Sequence, residues 1–198
     1  MNTYVYEIDD NLYINLTNKC SNACTFCVRN GKDAYYGNKL WLDKEPTAKD
    51  VLDVIDYTKK YKEIVFCGFG EPTFKIDVLL KIAKELKKKG YFLRINTNGQ
   101  GNLINGRDIT KDLKGVIDKI NVSLNMPDKK EYQKICRSVY GEKAFDELID
   151  FAVKAKNNGI KTVFSVVDVI GEEKVKECKK LADDIGVELY VRKFIKDS

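Results

Sequence analysis

Strand-like and helix-like segments alternate along almost the whole chain, and this alternation limits the fold more than any other feature. Amphipathic helical periods, such as Leu79, Ile82, Ala83 and Leu86 on one face, lie between short apolar runs. The runs are mostly apolar, as is typical of parallel strands buried on both faces. The pattern therefore predicts six βα units and an α/β fold. The predicted strands are residues 12–16, 64–67, 92–95, 120–124, 162–167 and 189–194.

The number of units predicts an open barrel. A closed eight-unit barrel needs about 250 residues, whereas this chain has 198. We therefore expect a partial (β/α)6 barrel with parallel strands, formed as a single domain over residues 1–198. Glycines at the ends of helical runs agree with this pattern, because a residue with positive φ closes a helix before a strand. They are Gly90, Gly159 and Gly186.

Two segments need separate interpretation. A stripe formed by Val51, Val54, Ile55 and Thr58 predicts a helix before the second strand.

The loop at residues 17–45 follows the first strand and is long and irregular. Its aromatic residues either pack the loop onto the barrel or form a lid, and we favour packing because aromatics anchor long loops. These residues are Tyr35, Tyr36 and Trp41.

Composition excludes several classes of function. The net charge of +5 comes from abundant lysine, and no basic run is interleaved with aromatics, so nucleic-acid binding is not predicted. The N-terminal residues do not form a signal peptide, and no apolar stretch reaches about 18 residues. We therefore expect a cytoplasmic protein with no membrane segment. The chain has no histidine, which excludes a hydrolase built on a histidine triad.

Three of the six cysteines form the sequence Cys20-x3-Cys24-x2-Cys27. In a chain expected to be cytoplasmic, such cysteines indicate metal or redox chemistry rather than disulfides. Three thiolates at this spacing suit three corners of a cubane [4Fe–4S] cluster, which leaves one iron open. A zinc site is the alternative, but zinc would require a fourth cysteine or histidine at a suitable spacing. The other cysteines are too scattered for a second cluster. Among them, Cys136 could face a cleft and Cys178 lies on an apolar helix stripe.

Polar or glycine-rich segments follow the other predicted strands. In parallel α/β barrels, functional residues gather at the carboxyl ends of the strands. We therefore expect these segments to share one rim with the cysteine loop. They are Gly68-Phe69-Gly70-Glu71-Pro72, Asn96-Thr97-Asn98-Gly99, and the pair Ser123 and Asn125.

The chain resembles the radical S-adenosylmethionine (radical SAM) superfamily over its whole length. The superfamily signature is Cys-x3-Cys-x2-Cys with an aromatic residue before the last cysteine, and Phe26 fills that position. The segment at residues 68–72 resembles the Gly-Gly-Glu-Pro motif of these proteins, with Phe69 in place of the second glycine. Further segments, including residues 12–18, 96–104 and 141–145, resemble a subgroup named for its association with TatD-type hydrolases.

The resemblance implies a function and two cofactors. Cys20, Cys24 and Cys27 would hold one [4Fe–4S] cluster, and SAM would bind its open iron. A one-electron donor such as flavodoxin or ferredoxin would reduce the cluster under anaerobic conditions. SAM would then be cleaved to methionine and a 5′-deoxyadenosyl radical, which abstracts hydrogen from an unidentified substrate in an oxidoreductase-type reaction. The residues that the resemblance places at SAM are Phe26, Gly68, Gly70, Glu71, Asn96, Asn98, Ser123 and Asn125.

Three readings of the function remain open. An enzyme acting on a small molecule is favoured. An activase that installs a glycyl-type radical on a protein partner would need an open groove across the rim, whereas a small-molecule enzyme needs a closed pocket. A non-catalytic iron–sulfur electron carrier would have no use for the glycine-rich and asparagine-rich loops.

Overall fold

A computed structural model describes residues 2–194, and its centre is one seven-stranded sheet. Six of the strands are parallel and follow one another in chain order, as the sequence pattern predicts. This arrangement confirms the α/β partial barrel. In order across the sheet, the strands are β1 (Val5–Ile8), β2 (Asn11–Ile14), β5 (Glu63–Phe66), β6 (Leu93–Thr97), β7 (Lys119–Ser123), β8 (Lys161–Val167) and β9 (Glu188–Arg192).

Strand β1 is an addition to the predicted set. It pairs antiparallel with β2 through a tight turn at Asp9, whose φ is 51°. A second small hairpin lies within the long loop and is formed by β3 (Ala34–Tyr35) and β4 (Asn38–Lys39). The sheet is therefore mostly parallel, with one antiparallel strand at its edge.

Seven α-helices connect the strands within residues 2–194. They are α1 (Ala48–Leu52), α2 (Ile76–Lys88), α3 (Gly101–Asn105), α4 (Thr110–Leu113), α5 (Lys129–Cys136), α6 (Lys143–Asn157) and α7 (Glu172–Ile185). The predicted stripe on α2 is fully buried. Gly90, Gly159 and Gly186 all have positive φ, which confirms their role at helix ends. The helix predicted over residues 51–58 is wrong beyond Leu52, where α1 ends, and Val54 is 53% exposed.

The two faces of the sheet differ in chemistry. Alternate residues such as Ile120 and Val122 pack against the helices in one large apolar core. Residues that point the other way include Arg94, Asn96 and Asn121, so the concave face is polar. The long loop covers one side of this face through a small apolar cluster that contains Leu40 and Phe69.

The aromatic residues of the loop pack only in part as predicted, because Trp41 and Tyr36 stay partly exposed. Tyr35 packs against that small cluster, and the Trp41 ring meets the Phe69 ring edge-on at 5.2 Å. The Tyr36 ring stacks edge-on against Tyr35 but remains half exposed. Separately, none of the helices within residues 2–194 is both long enough and apolar enough to cross a membrane.

Candidate functional site at the strand ends

The cysteine loop follows β2 and contains no helix or strand between residues 15 and 33. Its shape depends on Arg29, which sequence reasoning did not single out. The guanidinium donates to the carbonyl oxygens of Asn18 (3.0 Å), Phe69 (3.1 Å) and Asn22 (3.3 Å). It also lies over the Trp41 ring, 5.9 Å from its centroid. Arg29 therefore joins both ends of the cysteine loop to the segment that follows β5.

The two glycines after β5 permit close approach of the cysteine loop. A Cβ on Gly70 would lie 2.2 Å from the carbonyl oxygen of Thr17 and 2.7 Å from that of Lys19. A Cβ on Gly68 would lie 2.0 Å from Oδ1 of Asn15. The backbone N–H of Glu71 then donates to the Lys19 carbonyl at 2.8 Å. Glycine is needed at position 70 because one backbone packs directly on another there.

The Glu71 side chain is a buried hydrogen-bond centre, only 3% exposed. Its Oε1 accepts from the backbone N–H of Thr73 (3.1 Å) and from the hydroxyls of Thr73 and Thr97 (both 2.7 Å). Its Oε2 accepts from the backbone N–H of Asn98 at 2.7 Å. Burial raises the pKa of this carboxyl, and the hydrogen bonds oppose that rise. The side chain thus holds the ends of β5 and β6 together.

Cys20 lies beside the end of β6. The Asn98 side-chain amide donates to the Ser21 hydroxyl at 2.9 Å and approaches the Cys20 sulfur at 3.9 Å. The Asn98 Oδ1 accepts from the backbone N–H of Gln100 at 3.0 Å, so its amide is fully used within the protein. The backbone N–H of Asn22 donates to the same cysteine sulfur at 3.4 Å.

Cys24 lies beside the end of β7 and the end of α5. Two backbone bonds of 3.0 Å flank it, from Ala23 N–H to the Cys136 carbonyl and from Thr25 N–H to the Ile135 carbonyl. The Cys24 and Cys136 thiols interact, since each shifts the pKa of the other. The side-chain amide of Asn125 donates to the Cys136 sulfur at 3.6 Å. Cys136 is fully buried against the cysteine loop rather than exposed to a cleft, contrary to the expectation from its position after the helix.

A buried polar network lies behind these two cysteines. The Tyr132 hydroxyl accepts from the side-chain amides of Asn22 and Gln100, both at 3.0 Å, and it also contacts Cys136. Gln100 in turn accepts from the Ser138 hydroxyl at 2.9 Å. Tyr132 itself is fully buried. Sequence reasoning missed this network because its members lie as many as 110 residues apart.

The three thiols are protonated in the metal-free protein. Burial raises the pKa of Cys20 to about 12 and also raises that of Cys27. The interaction with Cys136 raises the pKa of Cys24, and burial adds to that rise. The same interaction lowers the pKa of Cys136, against the opposing effect of burial. A metal ligand must be a thiolate, so binding a metal centre here would release protons.

The donor set fits a cubane better than a single ion. Within residues 2–194, no three His, Cys, Asp or Glu side chains are grouped so that they could hold one metal ion. A cubane does not require the three sulfurs to surround one ion, because each thiolate binds a different iron of the cluster. Three half-buried cysteines on one loop suit such a cluster. The backbone N–H groups of Asn22 and Arg29 are directed at the sulfurs of Cys20 and Cys27.

The remaining residues assigned to SAM lie at the same rim but differ in availability. Asn125 has φ of 60°, is buried, and its Oδ1 has no partner within the described chain. Ser123 is half-buried at the end of β7, and Phe26 is half-buried in the cysteine loop. Asn96 is turned toward the concave face, where its Oδ1 accepts from Arg94 at 2.7 Å. The structure therefore brings Asn98 and Asn125 to the cysteines and directs Asn96 elsewhere.

An open α/β barrel with a cysteine loop at its strand ends defines the class of protein. The sequence matches the model of the radical SAM superfamily over residues 14–185, and the chain belongs to this superfamily of enzymes, which use a [4Fe–4S] cluster and SAM.

Similar proteins agree with this assignment. A relative from Pyrococcus horikoshii, named as a probable GTP 3′,8-cyclase, is 26% identical over 188 residues. The alignment covers 91% of this chain and 54% of the relative, so the chain spans about half the length of that protein. A Methanocaldococcus jannaschii protein that carries the name of a glycyl-radical enzyme activating enzyme is 25% identical over 171 residues, covering 83% of this chain and 65% of that protein.

The fold has close counterparts among solved structures. Streptococcus suis SuiB bound to S-adenosylmethionine superimposes with a TM-score of 0.68 at 15% identity. The superposition covers 92% of this chain and 40% of SuiB. At this level of identity the likeness concerns the fold alone.

Proposed function

We propose that this chain binds one [4Fe–4S] cluster through Cys20, Cys24 and Cys27 and cleaves SAM reductively. When bound and reduced, the cluster would supply the electron for cleaving SAM to methionine and a 5′-deoxyadenosyl radical, and that radical would abstract hydrogen from a substrate. The observation that carries the proposal is the placement of the cysteine loop. It is bonded to the end of β5 through Glu71, to the end of β6 through Asn98, and to the end of α5 through Cys136.

The chain's own residues have separable tasks in this proposal. Arg29 and Gly70 hold the cysteine loop against the segment that follows β5, and Asn98 orients the segment that carries Cys20. Asn125 offers a buried amide oxygen without a partner, which suits a hydroxyl group such as those of the SAM ribose. We assign Glu71 to positioning, because its carboxylate is already saturated by protein donors.

The test is anaerobic reconstitution with iron and sulfide. We expect the wild type to show the paramagnetic signal of a reduced cubane and to release 5′-deoxyadenosine from SAM. Cys20→Ala, Cys24→Ala and Cys27→Ala should lose both properties. Cys178→Ala is the matched control, because Cys178 is equally a cysteine but lies buried on α7, away from the loop. A cysteine-loop variant that still formed the cubane and cleaved SAM would refute the assignment.

Two further readings are separated by binding experiments. An electron carrier would form a cluster but would not bind SAM at equilibrium, whereas the proposed enzyme binds it.

A radical activase of a protein partner is the second candidate, and the Methanocaldococcus relative is the observation that favours it. We favour a small-molecule substrate, with an electron donor such as flavodoxin or ferredoxin in the cytoplasm. Deuterium transferred from candidate substrates into 5′-deoxyadenosine would identify the substrate class.

A further inference from the structure

A cavity of about 260 Å³ opens on the concave face of the barrel, at the amino ends of the strands. It is distant from the cysteine loop, which lies at the carboxyl ends. Lys119 begins β7 and Ser123 ends it, so roughly 13 Å of strand separates the two mouths, at about 3.3 Å per residue. The cavity therefore does not belong to the site described above.

Three cations lie side by side across this mouth. Arg94 on β6 is in register with Lys119 on β7, and Lys119 is in register with Lys161 on β8. All three line the cavity. Like charges on neighbouring strands repel each other, so such a row favours a bound anion that neutralises it.

The cations differ in how far the protein already neutralises them. Arg94 is paired with Glu63, with Nε and Oε2 2.7 Å apart. Lys119 and Lys161 have no acidic side chain within ion-pair distance anywhere in residues 2–194. Glu188 also lines the cavity, but it is exposed and sits one row further along the sheet, opposite Val163. The two lysines are thus the uncompensated charges.

Asn121 supplies an independent indication of a ligand. Its side chain lines the same cavity, the residue is only 6% exposed, and its Oδ1 is buried without a hydrogen-bond partner among the described residues. A buried acceptor left unpaired is costly, so such a group generally has a partner in the functional state. The missing partner must be a donor, such as a hydroxyl group.

We infer that this mouth of the barrel binds a small hydroxylated anion. Lys119 and Lys161 bind its phosphate or carboxylate group, and Asn121 accepts a hydrogen bond from its hydroxyl. A phosphate ester and a hydroxycarboxylate share this chemistry. The site is independent of the cysteine loop, so it stands whether or not a cluster forms there.

Isothermal titration calorimetry at fixed ionic strength tests the site with three probes, on the full chain before and after reconstitution. Glycerol 3-phosphate and L-malate distinguish the two anion sources, and succinate is the matched probe without a hydroxyl. We expect glycerol 3-phosphate or L-malate to bind. Lys119→Gln and Lys161→Gln should each weaken that binding about tenfold or more, as expected for the loss of one charge-assisted hydrogen bond.

Two controls complete the experiment. Lys176→Gln removes an exposed lysine from α7 and should leave the affinity unchanged. Asn121→Ala should abolish the preference for L-malate over succinate. The inference is overturned if neither hydroxylated probe binds the wild type, if the two lysine variants bind as the wild type does, or if Lys176→Gln weakens binding equally. Loss of the cluster signal without loss of anion binding would count only against the proposed radical chemistry.

Discussion

Replacing Glu71 with glutamine tests whether this side chain holds the strand ends together. Glutamine keeps the shape but offers only one acceptor oxygen. If that oxygen takes the place of Oε1, the new NH₂ group faces the backbone N–H of Asn98, and a buried donor is left unpaired. If the amide is reversed, the NH₂ group faces three donors from Thr73 and Thr97, so more buried donors lose their acceptor than in the first orientation.

The expected loss follows from these contacts. Leaving a buried donor unpaired costs about 1–3 kcal/mol. Part of this is offset, because burial raises the pKa of Glu71 and a neutral side chain avoids that desolvation cost. We therefore expect Glu71→Gln to lower the free energy of unfolding by about 1–2 kcal/mol.

Urea unfolding of the metal-free protein at pH 7, followed by circular dichroism, measures the change. At a slope of about 2 kcal/mol per molar urea, in the middle of the range for small proteins, the midpoint should fall by roughly 0.5–1 M. Glu173→Gln is the control, because Glu173 is exposed on the first turn of α7 and should change stability by less than about 0.5 kcal/mol. Equal stability of the two variants would refute the role assigned to Glu71.

Three further outcomes are expected from the same region. Gly70→Ala should destabilise the protein by about 1–3 kcal/mol, because its Cβ would meet backbone rather than a movable side chain. Calorimetry should show a larger loss than for Lys176→Gln, an exposed position on α7, and an equal loss would contradict this. Oxidised glutathione should link Cys24 to Cys136 in the metal-free protein, because the two thiols can give up two electrons and two protons to form two molecules of reduced glutathione. Peptide mapping should find this disulfide in Cys178→Ser but not in Cys136→Ser. Absence of the disulfide from the oxidised wild type would contradict the contact between the two thiols. The folded-state pKa of Cys20 is raised to about 12, so the thiol's contribution to the free energy of unfolding is complete below pH 9 and is lost as the pH rises toward 12. In that window the free energy of unfolding of the metal-free wild type should fall more steeply than that of Cys20→Ser, by at most about 1.4 kcal/mol per pH unit. Parallel stability curves for the two proteins would refute the raised pKa.

The parallel strands could be predicted because short, mostly apolar runs alternate with amphipathic helical periods along the chain. Strand β1 has no such signal, since it is an edge strand with only Tyr6 fully buried. The helix over residues 51–58 failed for a local reason. The Asp56 carboxylate accepts from both the backbone N–H and the hydroxyl of Thr58, so a side-chain turn competes with the helix there.

The candidate site was predictable in its cysteines and in its rim, but not in its supporting contacts. Spacing along the chain identifies Cys20, Cys24 and Cys27, because three ligands on one loop are local. Arg29 and Tyr132 act through partners about 40 and 110 residues away. A single sequence does not record such pairings, since an arginine after a loop or a tyrosine on a helix also has many ordinary roles.

Three of the residues that the resemblance places at SAM differ in whether their side-chain acceptors are free to bind a ligand. They are Glu71, Asn98 and Asn125. Glu71 and Asn98 have all their side-chain acceptors occupied by the protein, and they act on the loop that carries Cys20. Asn125 keeps one buried acceptor free, next to Cys136 and hence beside Cys24. A ligand hydroxyl would satisfy that acceptor, whereas it would have to displace a protein donor from Glu71 or Asn98. Direct contact with SAM is therefore better supported at the end of β7 than at the glutamate after β5.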